Sequence, residues 1–283
     1  MPVAAKVTLM SSSRTEALAQ IAERVTPTPE QFRTEILPNG QPVVLRSIAQ
    51  EWPLVIAARQ GVREAMALLE AGANAHEAHV LRADPALEGR FHYANDDYAM
   101  NFIRGKGNIA GILAGLRDQE ISYRPFAIAA QGLIAARYFP TFAQTHPMPW
   151  VPLGVEPRLW IGNAAKVATH NDPTENIAVV AAGRRRFTLF PPSAEPDLYM
   201  GPHDPTPAGA RISMVHVTAP DFDRFPRFTS ALEVAQESEL SPGDAIFIPH
   251  GWYHHVEALE RFNVLVNYWW DANKPASKGT PHE

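Results

Sequence analysis

At 283 residues the chain can bury a sizeable core, and it suits one large domain or one domain with an extension. Its net charge of -5 is spread along the chain and argues against a nucleic-acid partner, while the lack of cysteine excludes disulfides, thiolate metal sites and a cysteine nucleophile. No stretch approaches the roughly 18 uninterrupted apolar residues of a membrane span, and the N-terminus lacks the apolar centre of a signal peptide, so the expected location is the cytoplasm.

In chain order, the spacing of "SSRTEALAQIAERV" (12–25) predicts a helix. A short strand over Pro42–Ile48 follows the turn signal Pro-Asn-Gly. "PLVIAARQGVREAMALLEAGAN" (53–74) reads as the best helix in the chain, its apolar residues recurring every three or four positions and Gly72 standing where a C-cap would. It has the texture of an ankyrin-like repeat, but no second copy follows at a period of about 33. "NAHEAHVLRA" and "GRFHYANDDYAMNFI" read as strands, and "NIAGILAGLRDQ" as a helix. After Pro149 nearly everything is short strand: "RLWIGNAAKVATH", "NIAVVAAG", "RRRFTLFPP", "ISMVHVT", "GDAIFIPHGWYHHVEAL" and "RFNVLVNYWW". Runs of this kind, broken by Pro and Gly, predict an antiparallel sandwich or barrel with helices packed outside it.

Two constellations carry chemistry. His170 and Asp172 form a His-x-Asp pair, which a strand places on one face. Chance supplies such a pair often enough that it decides little alone. A third ligand must come from a distant strand, and "IPHGWYHHVEAL" offers histidines there. Two histidines and one carboxylate with open positions are the facial triad of non-haem Fe(II) oxygenases. Alternation lets only one of His254 and His255 face a barrel interior, and periodicity does not choose between them. His255 also forms a rival pair with Glu257, and His250, before a glycine, reads as a loop residue. In "RRRFTLF", Arg184 and Arg186 share one face, read as solvated, while Arg185 falls on the other with Phe187 and Leu189. An inward arginine needs an anion, and a dicarboxylate suits its planar fork. His92, His146, His203 and His216 lack a same-face carboxylate and read as structural or solvent-exposed.

Taken together, "WIGNAAKVATHNDPTENIAVVAAGRRRFTLFPP", "LSPGDAIFIPHGWYHHVEAL" and "NVLVNYWW", in that order and spacing, resemble the JmjC (cupin-like) Fe(II)/2-oxoglutarate oxygenases, near the asparaginyl-hydroxylase branch. "PVVLRSIAQEWP" and "RFHYANDDYAMNF" are similar to the N-terminal part of bacterial cupin-like proteins. The resemblance implies a mainly β fold with α: a double-stranded β-helix (jelly-roll) barrel over 86–271, an N-terminal helix and strand extension over 1–85 packed on it, and a polar tail over 272–283. It implies that His170, Asp172 and His254 hold Fe(II), so that His254 is chosen over His255. It implies that Asn176, Arg185 and Asn267 bind 2-oxoglutarate as co-substrate, and that Trp269 lies near the substrate mouth. Where the better-known members have lysine, this chain has Arg185. Those members continue into dimer-forming helices, whereas "DANKPASKGTPHE" reads as disordered, so an oligomer of that kind is not expected. The implied activity is a 2-oxoglutarate-dependent hydroxylase acting on a protein side chain or a small metabolite. The alternative is a non-catalytic cupin-like module that holds a metal or ligand.

Overall fold

From Arg158 onward, short apolar runs separated by Gly and Pro become the strands of two facing sheets. The computed structural model describes residues 17–94 and 98–272. Its strands, in chain order, are β1 (Ala19–Gln20), β2 (Ala22–Val25), β3 (Val43–Arg46), β4 (Glu77–Ala83), β5 (Arg90–Phe91), β6 (Phe102–Asn108) and β7 (Ala127–Ile134). There follow β8 (Arg158–Gly162), β9 (Lys166–Asn171), β10 (Glu175–Ala182), β11 (Arg185–Phe190), β12 (Gln236–Leu240), β13 (Ala245–Ile248), β14 (Tyr253–Ala258) and β15 (Asn263–Trp270). One sheet has the order β1-β12-β11-β14-β9-β5 and the other β2-β3-β13-β10-β15-β8-β7-β4-β6. Strands β8 to β15 divide between them, with β8, β10, β13 and β15 in the larger sheet and β9, β11, β12 and β14 in the smaller, and their pairings with one another are antiparallel. That is the jelly-roll barrel the sequence leads one to expect.

Strand β10 shows why its sequence reads as a continuous apolar run. Ile177, Val179 and Ala181 pack into the cluster shared with the helices, while Ala178 and Val180 pack between the sheets with Phe187, Leu189 and Ile246. A strand covered on both faces has no polar side to alternate with. Gly183 (φ 72) then turns the chain from one sheet into the other. A Cβ there would lie 2.3 Å from Asn263 Oδ1, so the turn admits only glycine, and it fixes which of the three arginines points inward.

Several expected elements differ. The part of "SSRTEALAQIAERV" that is described is not helical; residues 12–16 lie outside the described residues. Instead β1 runs parallel to β12 and β2 parallel to β3, one on each sheet, with Ile21 buried between them. Two unpaired sheet edges offered this segment more hydrogen bonds and burial than an isolated helical turn could. The expected long helix is two, Pro53–Gln60 and Val62–Gly72, broken at Gly61. The break lets each half turn its own stripe inward, Leu54, Val55 and Ala57 from one and Ala65, Met66 and Leu69 from the other. Gly72 is the last helical residue rather than the cap, which is Ala73 in extended conformation. "ISMVHVT" forms no strand. It is a cover segment whose Val215 and Val217 pack on the outside of the smaller sheet, tied to it by Ser213 N donating to Thr169 O. Strands β3 and β4 and the helix Ile109–Glu120 stand where the sequence predicts them. Within "GRFHYANDDYAMNFI" residues 95–97 are not described, and the tail from residue 273 also lies outside the described residues. Among the described residues no helix is long and apolar enough to cross a membrane.

Candidate metal and co-substrate site

The chain leaves the smaller sheet after Asn171 and enters the larger at Glu175, so Asp172 sits where the two sheets meet. His170, at the end of β9, is the register partner of His254 on β14. Cross-strand partners of this kind bring their side chains together, and the ring centroids lie 4.3 Å apart. One donor atom from each of His170, Asp172 and His254 lies within 4.8 Å of the others, and His254 Nε2 stands 3.7 Å from Asp172 Oδ2. His170 Nδ1 lies 2.9 Å from the carbonyl of Ala168, to which it donates, so Nε2 is the atom left to meet a metal.

The carboxylate is held from the larger sheet. Trp269 Nε1 donates to Asp172 Oδ2 at 2.9 Å and Asn176 Nδ2 donates to the same oxygen at 3.2 Å; Asn267 Nδ2 in turn donates to Asn176 Oδ1 at 2.9 Å. Burial pushes the Asp172 carboxyl up, but His254, His170 and the two hydrogen bonds outweigh it and leave it below the usual carboxylate range. Burial, with His170 beside it, lowers His254 to about 4 against the pull of Asp172. At neutral pH the site is therefore an ionised carboxylate with an unprotonated His254, the state a metal needs.

Alternation along β14, whose pairing with β11 is continuous, sends His255 to the opposite side from His254, across from Thr188. There His255 is buried near His92 and His216, and burial drives it to about 3. Glu257, its rival partner in the sequence, instead faces Arg186 at 3.5 Å. His250 is exposed in the turn before β14. Of the remaining histidines, His92 and His146 are buried, His216 is half-buried and His203 is exposed.

The three arginines separate by alternation. Arg184 pairs with Glu260 and Glu239, and Arg186 with Glu239 and Glu257, all at the surface. Arg185 is 5% exposed and lines the same cavity as the triad. Its Nε has no hydrogen-bond partner, and burial alone pushes its pKa down to about 10. A buried guanidinium without a counter-ion costs several kcal/mol unless an anion meets it.

The cavity has a volume of about 670 Å³, and besides the triad and Arg185 it is lined by Asn176, Asn267 and Trp269. All seven residues singled out in the sequence thus meet in one space. Trp269, placed at the mouth by resemblance, also bonds directly to the carboxylate. Sequence reasoning missed Arg158 and Trp160. Their signal is the alternation of "RLWIG", where Leu159 and Ile161 enter the core beneath the helices, leaving Arg158 and Trp160 to the cavity side. Trp160 meets Trp269 edge-on at 5.1 Å.

A family described as "Cupin-like domain" matches residues 29–275. Among curated proteins, the chain is 40% identical over 118 residues to "Lysine-specific demethylase JMJ31" of Arabidopsis thaliana, covering 40% of this chain and 20% of that protein. It is 37% identical over 118 residues to human "HSPB1-associated protein 1", covering 41% and 24%. A third relative, mouse "tRNA wybutosine-synthesizing protein 5", is 34% identical over 102 residues, covering 36% and 29%. The matched stretch is thus less than a third of each relative. With the family match spanning most of its length, the chain belongs to the cupin-like family that includes JmjC-type demethylases and related oxygenase-type enzymes.

Proposed function

We propose that this protein is an Fe(II)- and 2-oxoglutarate-dependent oxygenase that hydroxylates its substrate. The observation that carries the reading is Arg185, a buried, unpartnered cation in the cavity that also holds a two-histidine, one-carboxylate donor set. That donor set suits Fe(II) and leaves positions open, and the arginine fork suits the far carboxylate of a small diacid. When bound, iron and 2-oxoglutarate supply the oxidation: O2 gives one oxygen to a substrate C–H and the other to succinate, with release of CO2.

The protein's own residues supply the rest. His170, Asp172 and His254 hold the metal, and the bonds from Trp269 and Asn176 keep Asp172 oriented and ionised. Arg185 anchors the co-substrate at the inner end of the cavity, and the amides of Asn176 and Asn267 line its path. Trp160 and Trp269 form an apolar wall that keeps water from the reacting carbon. The target is a protein side chain or a small metabolite; the demethylase name of one relative supports the first.

The test is an anaerobic titration of the Fe(II)-loaded protein with 2-oxoglutarate, read by the weak visible charge-transfer band of the chelate. The band is expected. Its absence with iron demonstrably bound would sink the co-substrate assignment.

A further inference from the structure

We propose that the mouth of this cavity binds a carboxylate-bearing substrate, with Arg158 as the residue that selects it. The proposal rests on the oxygenase reading for what happens to the substrate, but its own ground is the charge of the lining. Among the described lining residues the only carboxylate is Asp172, which the histidines already face. Against it stand Arg158 and Arg104 on the same wall, apart from the co-substrate arginine.

The sheet register explains how they converge. Arg158 on β8 is the cross-strand partner of Asn267 on β15, the residue whose amide begins the chain to Asn176 and Asp172. Its guanidinium lies 5.8 Å from the centre of the Trp269 ring, the ring whose Nε1 donates to Asp172, so Arg158 adjoins the residue that holds the carboxylate. Further out, Leu81 on β4 faces Arg104 on β6, and His79 faces Lys106. Paired residues share a face of the sheet, which here is the cavity face. Arg104 also donates to the carbonyl of Pro207 at 2.8 Å, drawing the 206–210 loop across as the opposite wall.

Neither Arg158 nor Arg104, the two arginines of the cavity wall besides Arg185, has a carboxylate partner among the described residues, unlike Arg184 and Arg186 on the outer face of the barrel. A wall of unpaired cations raises the local concentration of anions and leaves cationic side chains unfavoured. Trp269, with Trp160 edge-on against it, touches Arg158 on one side and Asp172 on the other. The fitting substrate therefore carries a carboxylate a few bonds from an apolar C–H. A small organic acid and a peptide bearing Asp or Glu share that chemistry.

The test compares binding to the metal-loaded protein under anaerobic conditions, read by quenching of tryptophan fluorescence, since Trp160 and Trp269 line the site. The probes are a Glu-rich hexapeptide, a small dicarboxylic acid longer than 2-oxoglutarate, a Lys-rich hexapeptide and a short RNA oligonucleotide. An acidic probe is expected to bind best, whether peptide or small acid, and the better of the two identifies the source. Arg158→Glu should weaken that binding by about tenfold or more, and Arg158→Lys should restore most of it. Tighter binding of the Lys-rich peptide or of the RNA, or unchanged affinity in Arg158→Glu, would overturn the proposal. The charge-transfer band is read in the same wild-type samples. A missing band therefore counts against the oxygenase assignment, while the comparison of probes still decides the charge preference.

Discussion

Arg185 sits among apolar neighbours with its Nε unpaired, and burial pulls its pKa down to about 10. Such a residue destabilises the fold that contains it, because desolvation is not offset by a counter-charge. Arg185→Met, close in length and apolar, should therefore raise stability by about 1–3 kcal/mol while abolishing 2-oxoglutarate binding. Thermal denaturation with and without the co-substrate reads both effects, and a lower melting temperature for the variant would mean that the guanidinium is satisfied within the fold. The adjacent histidines make the second comparison at this scale. His170→Ala should abolish Fe(II) binding in an anaerobic titration, and His255→Ala should change it far less, because alternation along β14 turns His255 away from the donor set. The reverse ranking would show that the wrong histidine has been chosen. Period-two alternation made Arg185 and the His170/Asp172 pair legible in the sequence. It did not separate His254 from His255; that took the family pattern, since alternation says only that the two face opposite ways, and which one is inward is set by pairing with distant strands. Nor did it reveal the bond from Trp269 to Asp172, which joins positions 97 residues apart across two sheets.

Among the elements, the helix Pro53–Gln60 begins at Trp52 without a side-chain cap of its own. His146, 92 residues away, supplies one: its Nε2 accepts from Leu54 N at 3.2 Å while Nδ1 lies 3.1 Å from the carbonyl of Phe142. The ring is stacked on Phe142 and edge-on to Trp52, and burial lowers its pKa to about 4. Only the neutral ring can accept from Leu54, so protonation removes the cap. The unfolded chain protonates this histidine near pH 6.5 and the folded one only near 4. Its share of stability is complete above about pH 6.5 and falls as pH drops toward 4, by roughly 1–3 kcal/mol, levelling off below. Urea denaturation of wild type and His146→Gln between pH 4 and 7 checks this; the difference should be largest near neutrality and shrink on acidification. At this scale the sequence was most legible where an element stabilises itself. The helix Ile109–Glu120, with Asn108 capping Gly111 N, stands where its spacing predicts it. Strands β1 and β2 were illegible because Leu18, Ile21 and Val25 keep helical spacing, yet their conformation is dictated by edges more than 200 residues away and by β3.

Across the whole molecule, strands β8 to β15 were readable because each is marked locally, while their jelly-roll arrangement came from the family resemblance. The extension of the larger sheet by β7, β4 and β6 was not, since it rests on long-range pairing alone. That extension matters to function, for it carries Arg104 and His79 to the cavity wall. The two sheets contribute unequally to the donor set. His170 and His254 are neighbours in the smaller sheet and are held in register by the pairing of β9 with β14. Asp172 stands at the crossing and is fixed by Trp269 and Asn176 of the larger sheet. A metal bound by all three therefore ties one sheet to the other at the open end of the barrel, which the apolar cluster between the sheets does at the other positions. A ligand that binds only the folded state stabilises it by mass action, about 2.7 kcal/mol at a hundredfold excess over its dissociation constant. Adding Fe(II) under anaerobic conditions, or Mn(II) as a redox-stable substitute, should raise the melting temperature by several degrees, and a chelator should reverse the gain. Asp172→Ala should lose most of the gain, because the two remaining ligands lie on adjacent strands of one sheet and no longer bridge the pair. Trp269→Phe should lose part of it, since the carboxylate stays but one bond that aims it is gone. Equal metal-induced shifts in all three proteins would show that the ion binds elsewhere and that the crossing at Asp172 is not the metal centre.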